Sequence, residues 1–356
     1  MGPATARVAA HGEVIGSAMA HDDAGEARRR VQDLAAGFRG AGVLLACAEL
    51  GVFDALAAGS STPGAVAAQT GTDARAVELL LNAATSLGLL LKTGGQFRLA
   101  PDVAPLLVRG TPGSLAGSLV LQSAHARRWA HLAEAVRSGR RPPENTRDEA
   151  PADWVERFVL GIYAAAAMQA PAVAEVLELP RDRDLRLLDV GGCHGAYSMA
   201  LASRYPRLSA VVLDLPAVVA VAERLIADAG WGDRVRASAG DFHHDALGTG
   251  FDVALVFGVL NGEPPEARPA LIRKVFDALA PGGWIVLRDS VLDPDRAGPT
   301  EAALFAVQML LATDGGGLDT RDDWVRWLAE AGFEAPEDVA TAGGAAGTLV
   351  VARRPA

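Results

Sequence analysis

The chain has 356 residues, half of them hydrophobic and 21% charged, enough for two domains of about 150 residues each. Its 43 acidic against 33 basic residues leave a formal charge of −10, which repels phosphate backbones and anionic lipid and so speaks against nucleic-acid and membrane partners. Two cysteines, Cys47 and Cys193, make no disulfide framework and fit a reducing cytoplasm.

Residues 1–27 mix Ala, Gly and His with charges and show no period, so they read as a flexible arm. They also lack the continuous apolar core of a signal peptide. Residues 28–111 read as a winged-helix-like unit. From Arg28 to Leu56 the apolar residues recur at helical spacing, with Gly51 as a stop. Thr62-Pro63 pairs a cap residue with proline at the first helical position. Thr72-Asp73 caps a second helix carrying Val77, Leu79, Leu80, Leu81, Ala84 and Leu87. Leu89–Leu91, Gly94-Gly95 and Phe97–Leu99 then read as a hairpin, the wing. Winged helices often read DNA. The presumed recognition helix here has one basic residue near its start, Arg75, between Asp73 and Glu78. A helix for the major groove needs several basic or amide groups, so protein contact suits this one better.

Residues 112–180 read as a helical linker that also walls a pocket. Trp129, Leu132 and Val136 form one face and Phe158, Ile162 and Tyr163 another, with a polar break at Arg140–Asn145.

From residue 181 to the C-terminus short apolar strands alternate with helices. The strands are expected at Leu185–Val190, Ala210–Leu213, Val235–Ala239, Val253–Phe257, Trp284–Arg288 and Thr348–Ala352. Strands apolar on both faces and separated by helices imply a parallel sheet, hence a doubly wound Rossmann-like α/β domain.

The chemistry gathers at the ends of these strands. The first runs into Asp189-Val190-Gly191-Gly192-Cys193-His194-Gly195 and a helix follows. Glycines let the backbone approach a ligand closely, though a glycine loop alone also serves dinucleotides. Asp189 discriminates, because a carboxylate there repels a pyrophosphate and accepts ammonium or sulfonium charge. Asp214, ahead of Leu215-Pro216, is placed to accept from ribose hydroxyls or to cap a helix; both readings stay open. Asp241 can accept from an adenine amine and Phe242 can cover the ring. The fourth strand ends at Phe257 and leads to Asn261. Three acids behind one glycine loop fit a positively charged nucleoside without phosphate. No Cys/His/Asp cluster has zinc spacing, so no metal is expected.

These motifs resemble the small-molecule O-methyltransferases of the caffeate, acetylserotonin and hydroxyneurosporene type, including natural-product enzymes of bacteria. Ala48–Leu56 and the wing ending in Phe97-Arg98-Leu99 resemble that family's N-terminal dimerisation domain. Asp189–Gly195, Asp214-Leu215-Pro216, Gly240-Asp241-Phe242, Pro281-Gly282-Gly283 and Ala331-Gly332-Phe333 resemble its later landmarks, in order. The resemblance spans about residue 30 to the C-terminus. It implies an all-helical winged-helix dimerisation domain, a homodimer made through it, and a C-terminal methyltransferase domain. There S-adenosylmethionine would be held by Asp189, Gly191, Gly192, Gly195, Asp214, Leu215, Asp241, Phe242 and Phe257. The helix with Phe305 and Met309 would line the acceptor pocket.

One departure matters. The family's His-Asp-Trp triplet, whose His is the general base, corresponds to Asn261-Gly262-Glu263. Asn takes up no proton at neutral pH. An acid remains at Asp289, where the family has a Glu that orients the His, whereas a second family Glu corresponds to Leu318. A general base contributes about 10²–10⁴-fold, so its loss suits a nucleophile that is already acidic. Asn261 and Asp289 are the expected catalytic residues. The expected function is O-methylation of an acidic hydroxyl in secondary metabolism. The alternatives are C-, N- or S-methylation, a relative that binds the cofactor and does other chemistry, and a winged-helix regulator.

Overall fold

The computed structural model describes residues 25–142, 152–340 and 347–356. The expected arm at 1–27 therefore lies almost wholly outside the described residues, as do Pro143, Glu144 and Asn145 of the polar break. The chain forms two compact units, one ending at Ala104 and the other starting at Pro105.

The first unit is helical apart from one hairpin. Helices α1 (25–36) and α2 (Phe38–Glu49) are followed by α3 (Val52–Ala57), α4 (Pro63–Thr70) and α5 (Ala74–Ser86). The capping residues act as their chemistry suggests. Thr62 accepts from Ala65 N at 3.3 Å, and Asp73 from Ala76 N at 2.8 Å. Strands β1 (Leu90–Thr93) and β2 (Gln96–Leu99) pair antiparallel around Gly94-Gly95. Both glycines hold positive φ, 55° and 81°, the conformation a two-residue hairpin turn requires. Val52, Phe53, Val66, Val77, Leu81, Leu90 and Phe97 are buried.

The second unit opens, after the short α6 (Ala104–Leu107), with α7 (Ala116–Trp129), α8 (Leu132–Ser138) and α9 (Ala152–Val176). A turn at Ala130-His131 separates Trp129 from Leu132 and Val136, so the single face expected for these three does not form; Val136 is exposed. Over Trp154–Val176, α9 is long and apolar enough to cross a membrane by composition. It packs on α7 and on two helices of the sheet domain, α10 (Ala196–Arg204) and α11 (Pro216–Asp228).

The sheet strands are β3 (Leu185–Val190), β4 (Leu208–Asp214), β5 (Val235–Ala239), β6 (Phe251–Phe257), β7 (Leu279–Asp289), β8 (Glu334–Asp338) and β9 (Thr348–Arg353). Helices α12 (Ala267–Ala278), α13 (Thr300–Ala312) and α14 (Arg321–Ala331) complete the unit. The strand order is β5-β4-β3-β6-β7-β9-β8. The first five are parallel, as their apolar runs predict. The expectation of a wholly parallel sheet is corrected at the far edge, where β9 runs antiparallel to β7 and β8 antiparallel to β9. Strand β8 escapes sequence reading because Glu334-Ala335-Pro336-Glu337-Asp338 is polar and contains proline, which a sheet tolerates at an edge. One core packs Leu185, Leu187, Val253, Leu255 and Val286 against α9 and α10, and the other packs Leu188, Val190, Ile285 and Leu287 against α12 and α14. The chain turns to opposite sides after β3 and β6, so a crevice opens where their C-terminal ends diverge.

Candidate active site

The glycine loop sits at the mouth of this crevice. Asp189, the penultimate residue of β3, is buried, and Ser198 on α10 donates to its Oδ2 at 2.7 Å. Burial pushes its pKa up to about 7; the Ser198 hydrogen bond opposes the shift and the Asp214 charge adds to it. The loop folds back over this carboxylate. A Cβ on Gly192 would lie 2.4 Å from Asp189 Cγ, and one on Gly191, where φ is 62°, would lie 2.8 Å from Val259. Only glycine permits that approach. Gly195, in the left-handed region, starts α10.

Asp214 ends β4 beside the loop. Its Oδ2 accepts from Cys193 N at 2.9 Å and its Oδ1 from Leu215 N at 2.8 Å. The carboxylate thus braces the glycine loop and caps the start of α11. Asp241, past the end of β5, is more open. It accepts from His243 N at 2.8 Å and meets His244 Nδ1 at 2.7 Å. The His244 contact holds its carboxyl below the usual range. Phe242 lies next to the Gly191 position, and Lys274 Nζ caps its carbonyl at 2.6 Å. Phe257 packs edge-on to Tyr197 of α10, ring centroids 4.9 Å apart.

The structure thus brings Asp189, Gly191, Gly192, Asp214 and Phe242 around one loop. Leu215 lies behind it, Asp241 stands toward the outer strand, and Phe257 faces the α9/α10 side. His194 is buried and accepts from Ala196 N through Nδ1 at 3.1 Å. Burial lowers its pKa to about 4, so the ring is neutral.

Across the crevice, Asn261 lies on the short turn Leu260–Gly262 after β6, and Asp289 ends β7. Asn261 Nδ2 donates to Asp289 Oδ1 at 3.0 Å, and Ser290 N donates to the same oxygen at 2.8 Å. Asp289 Oδ2 is buried and accepts no hydrogen bond. Burial pushes this carboxyl up to about 6, against hydrogen bonds from Asn261 and Ser290 that lower it. The turn is locked from behind, where Gly317 N donates to Asn261 O at 2.9 Å. The buried Arg268 donates to Glu263 O at 2.9 Å and pairs with Asp319. Leu318 is buried with Leu292 and Ala302, so the position of the second family Glu is filled by core. Helix α13 packs on the Asn261 turn, on α7 and on α8. Met309 is buried there, whereas Phe305 packs into the Leu292 cluster.

Sequence reading did not find Ser198 or Gln308; His243, in the loop after the Asp241-Phe242 motif, meets Glu263 at 3.3 Å. Gln308 carried a readable cue, as the single polar side chain between Ala302 and Ala312. Among the described residues no group of His, Cys, Asp or Glu could hold a metal ion.

Comparison with known proteins gives a consistent answer. The O-methyltransferase domain family matches residues 129–334, and the O-methyltransferase dimerisation domain matches residues 32–109. The chain is 34% identical to 3-hydroxy-5-methyl-1-naphthoate 3-O-methyltransferase of Streptomyces sahachiroi over 84% of this chain and 88% of that one. It is 30% identical to L-tyrosine C(3)-methyltransferase of Streptomyces lavendulae, covering 82% of each. The crystal structure of human N-acetylserotonin methyltransferase in complex with SAM superposes with a TM-score of 0.81 at 29% identity, covering 93% of this chain and 98% of that one.

Proposed function

The chain belongs to the O-methyltransferase family, as an S-adenosylmethionine-dependent methyltransferase of small molecules, and we propose that its acceptor is an acidic aromatic hydroxyl deprotonated by Asp289. The observation that carries this reading is the unpartnered, buried Oδ2 of Asp289 beside Asn261.

The residues present fit the cofactor. Asp189 is a carboxylate whose pKa burial raises, and among the described residues it meets the Ser198 hydroxyl and no cation, which suits a ligand carrying positive charge. Gly192 leaves the space over it that a side chain would fill. Asp214 and Asp241 would take the ribose and adenine ends, and Phe242 the ring face. When bound, S-adenosylmethionine supplies a methyl group on a cationic sulfur. The protein's own task is to hold the acceptor oxygen in line with that methyl carbon and to remove its proton.

Asn261 cannot remove it. Its amide instead fixes the Asp289 carboxylate with Oδ1 occupied and Oδ2 free to accept. Oδ2 would take up the proton of an acceptor O–H hydrogen-bonded to it, as the methyl group passes to that oxygen and its bond to sulfur breaks. Because Asp289 titrates near 6, the transfer favours hydroxyls more acidic than simple phenols. The aromatic acceptor is taken from the naphthoate relative. We assign the protein to secondary metabolism, a cytoplasmic location, and a homodimer built through the N-terminal unit. Its domains follow residues 28–111, 112–180 and 181–356.

C-methylation is the second reading, favoured by the tyrosine C-methyltransferase relative. The deciding experiment incubates the protein with S-adenosylmethionine and a panel of naphthols, hydroxynaphthoates and tyrosine, and locates the methyl group by mass spectrometry and NMR. An O-methyl product that is lost in Asp289→Asn supports the proposal. A C-methyl product, or an undiminished Asp289→Asn, overturns it.

A further inference from the structure

The turn from Asn261 to Glu263 is locked from behind by Gly317 N on Asn261 O and by Arg268 Nε on Glu263 O. A further attachment comes from the cofactor side. Glu263 Oε2 lies 3.3 Å from His243 Nε2. The His243 ring packs on Phe242, with ring centroids 4.5 Å apart. Phe242 in turn lies next to the Gly191 position of the glycine loop. A continuous line of contacts therefore runs from the ring assigned to adenine, through an imidazole and a carboxylate, to the turn that carries Asn261.

A permanent clamp would be built differently. The Glu263 side chain is 8% exposed and that of His243 47%. Burying a carboxylate costs free energy that a partner must offset. An apolar side chain, such as the Trp that the family resemblance places here, would fill the position without that cost. The imidazole stands half in water, where an ion pair contributes little to stability. The loop after β5 is held by other bonds. Lys274 Nζ donates to Phe242 O at 2.6 Å, Asp241 accepts from His243 N at 2.8 Å, and Asp245 Oδ2 accepts from Asp241 N at 2.8 Å. His244 meets Asp241 on the outer side. What the His243–Glu263 pair adds is a link that breaks and re-forms readily. It joins the loop of the cofactor's base to the turn of the Asn261–Asp289 pair.

We infer that His243 and Glu263 are positioning residues, a strap whose closed form is favoured when the cofactor's base rests against Phe242, and which then fixes the Asn261 turn. The 3.3 Å contact is the closed form. Closed, it holds Asn261 where its amide donates to Asp289 Oδ1. Occupancy of the cofactor site and order in the catalytic turn become two ends of one equilibrium, and such coupling is reciprocal. The inference rests on the methyl-transfer reading and adds a route by which the cofactor site is felt at the proposed base.

The test is hydrogen–deuterium exchange of the full-length protein with and without saturating S-adenosylhomocysteine. It is read at the amides of Gly262 and Glu263, which donate to Val259 O at 2.9 Å and to Leu260 O at 3.1 Å. In the wild type the ligand should slow their exchange about fivefold or more. His243→Phe keeps a ring against Phe242 but cannot pair with Glu263. The double variant His243→Phe, Glu263→Leu also removes the buried charge, which guards against misfolding of the single one. In both, the ligand-induced slowing should vanish, while S-adenosylhomocysteine still binds with an affinity lowered about fivefold. Glu263→Gln keeps an acceptor for the imidazole and should retain the slowing. Wild-type exchange that the ligand leaves unchanged overturns the proposal. So does slowing that persists in the two His243→Phe variants, as it would if the pair were only structural. Failure of the wild type to bind S-adenosylhomocysteine would instead strike the methyl-transfer reading, so the two failures are distinguishable.

Discussion

Asn261 Nδ2 donates to Asp289 Oδ1 across 3.0 Å, joining two residues on neighbouring strand ends, and leaves Oδ2 of the same carboxylate buried and unpaired. An amide stands where the family resemblance places a basic imidazole, and in the proposed mechanism the acid beside it takes the proton instead.

Replacing that acid should therefore cost more than replacing its neighbour. Asp289→Asn is expected to lower kcat by about 10²–10⁴-fold with cofactor affinity unchanged. Asn261→Ala should have a smaller effect. Asp289 holds its proton up to about pH 6, and the base acts only when ionised. The wild-type kcat should therefore fall as pH drops through about 6. Steady-state rates between pH 5 and 9, measured as S-adenosylhomocysteine release, check both points.

Cofactor affinity should have its own pH dependence. Burial holds the Asp189 carboxyl protonated up to about 7 in the cofactor-free protein, against about 4 for an ordinary Asp. Its raised pKa means that the cofactor-free fold loses stability from this group as pH rises between those values. A cationic ligand favours the ionised form and draws the proton off. S-adenosylmethionine binding should thus tighten as pH rises through about 7, and Asp189→Asn should flatten that dependence. Titrations in two buffers of different ionisation enthalpy would also show the proton released.

Gly192→Ala should separate binding from folding. Its Cβ would stand 2.4 Å from Asp189 Cγ, so the loop must move. The expected outcome is at least about a hundredfold weaker cofactor binding with only a modest drop in Tm, because the loop is not core. Differential scanning fluorimetry with and without cofactor reads both.

The N-terminal helices expose Val31, Leu34 and Phe38, at 63%, 78% and 70%, on a stripe with helical spacing. An apolar stripe of this kind asks for cover, and a second copy of the chain fits the dimerisation family matched there. The double variant Leu34→Asp, Phe38→Asp should sediment as a monomer at concentrations where the wild type is a dimer.

Much of this arrangement was legible in the chain itself, and the misses have physical reasons. Strands β3, β4, β6, β7 and β9 carry apolar runs between turn residues, β5 is a mixed Val-Arg-Ala-Ser-Ala segment, and the acids Asp189 and Asp214 stand where β3 and β4 end. Strand β8 was invisible because Glu334, Pro336, Glu337 and Asp338 suit an edge held by backbone pairing to β9 and by the Arg321–Asp338 ion pair. The break between α7 and α8 carries no proline or glycine at Ala130-His131, so tertiary packing sets it. Asn261 and Asp289 could each be singled out, but 28 residues separate them. Only the parallel pairing of β6 with β7 shows that they touch. Gln308 is polar in an apolar helix, a cue that sequence reading passed over because its partner, Trp129, is 179 residues away.

The most direct measurement is calorimetric titration of cofactor-stripped protein with S-adenosylmethionine and, separately, with S-adenosylhomocysteine, for the wild type and for Asp214→Ala. Asp214 braces the glycine loop through Cys193 N and is the residue proposed to take the ribose. Micromolar binding of both ligands by the wild type, lost in a folded Asp214→Ala, is the predicted result. A folded wild type that binds neither ligand, or an Asp214→Ala protein that binds them equally well, would contradict the account.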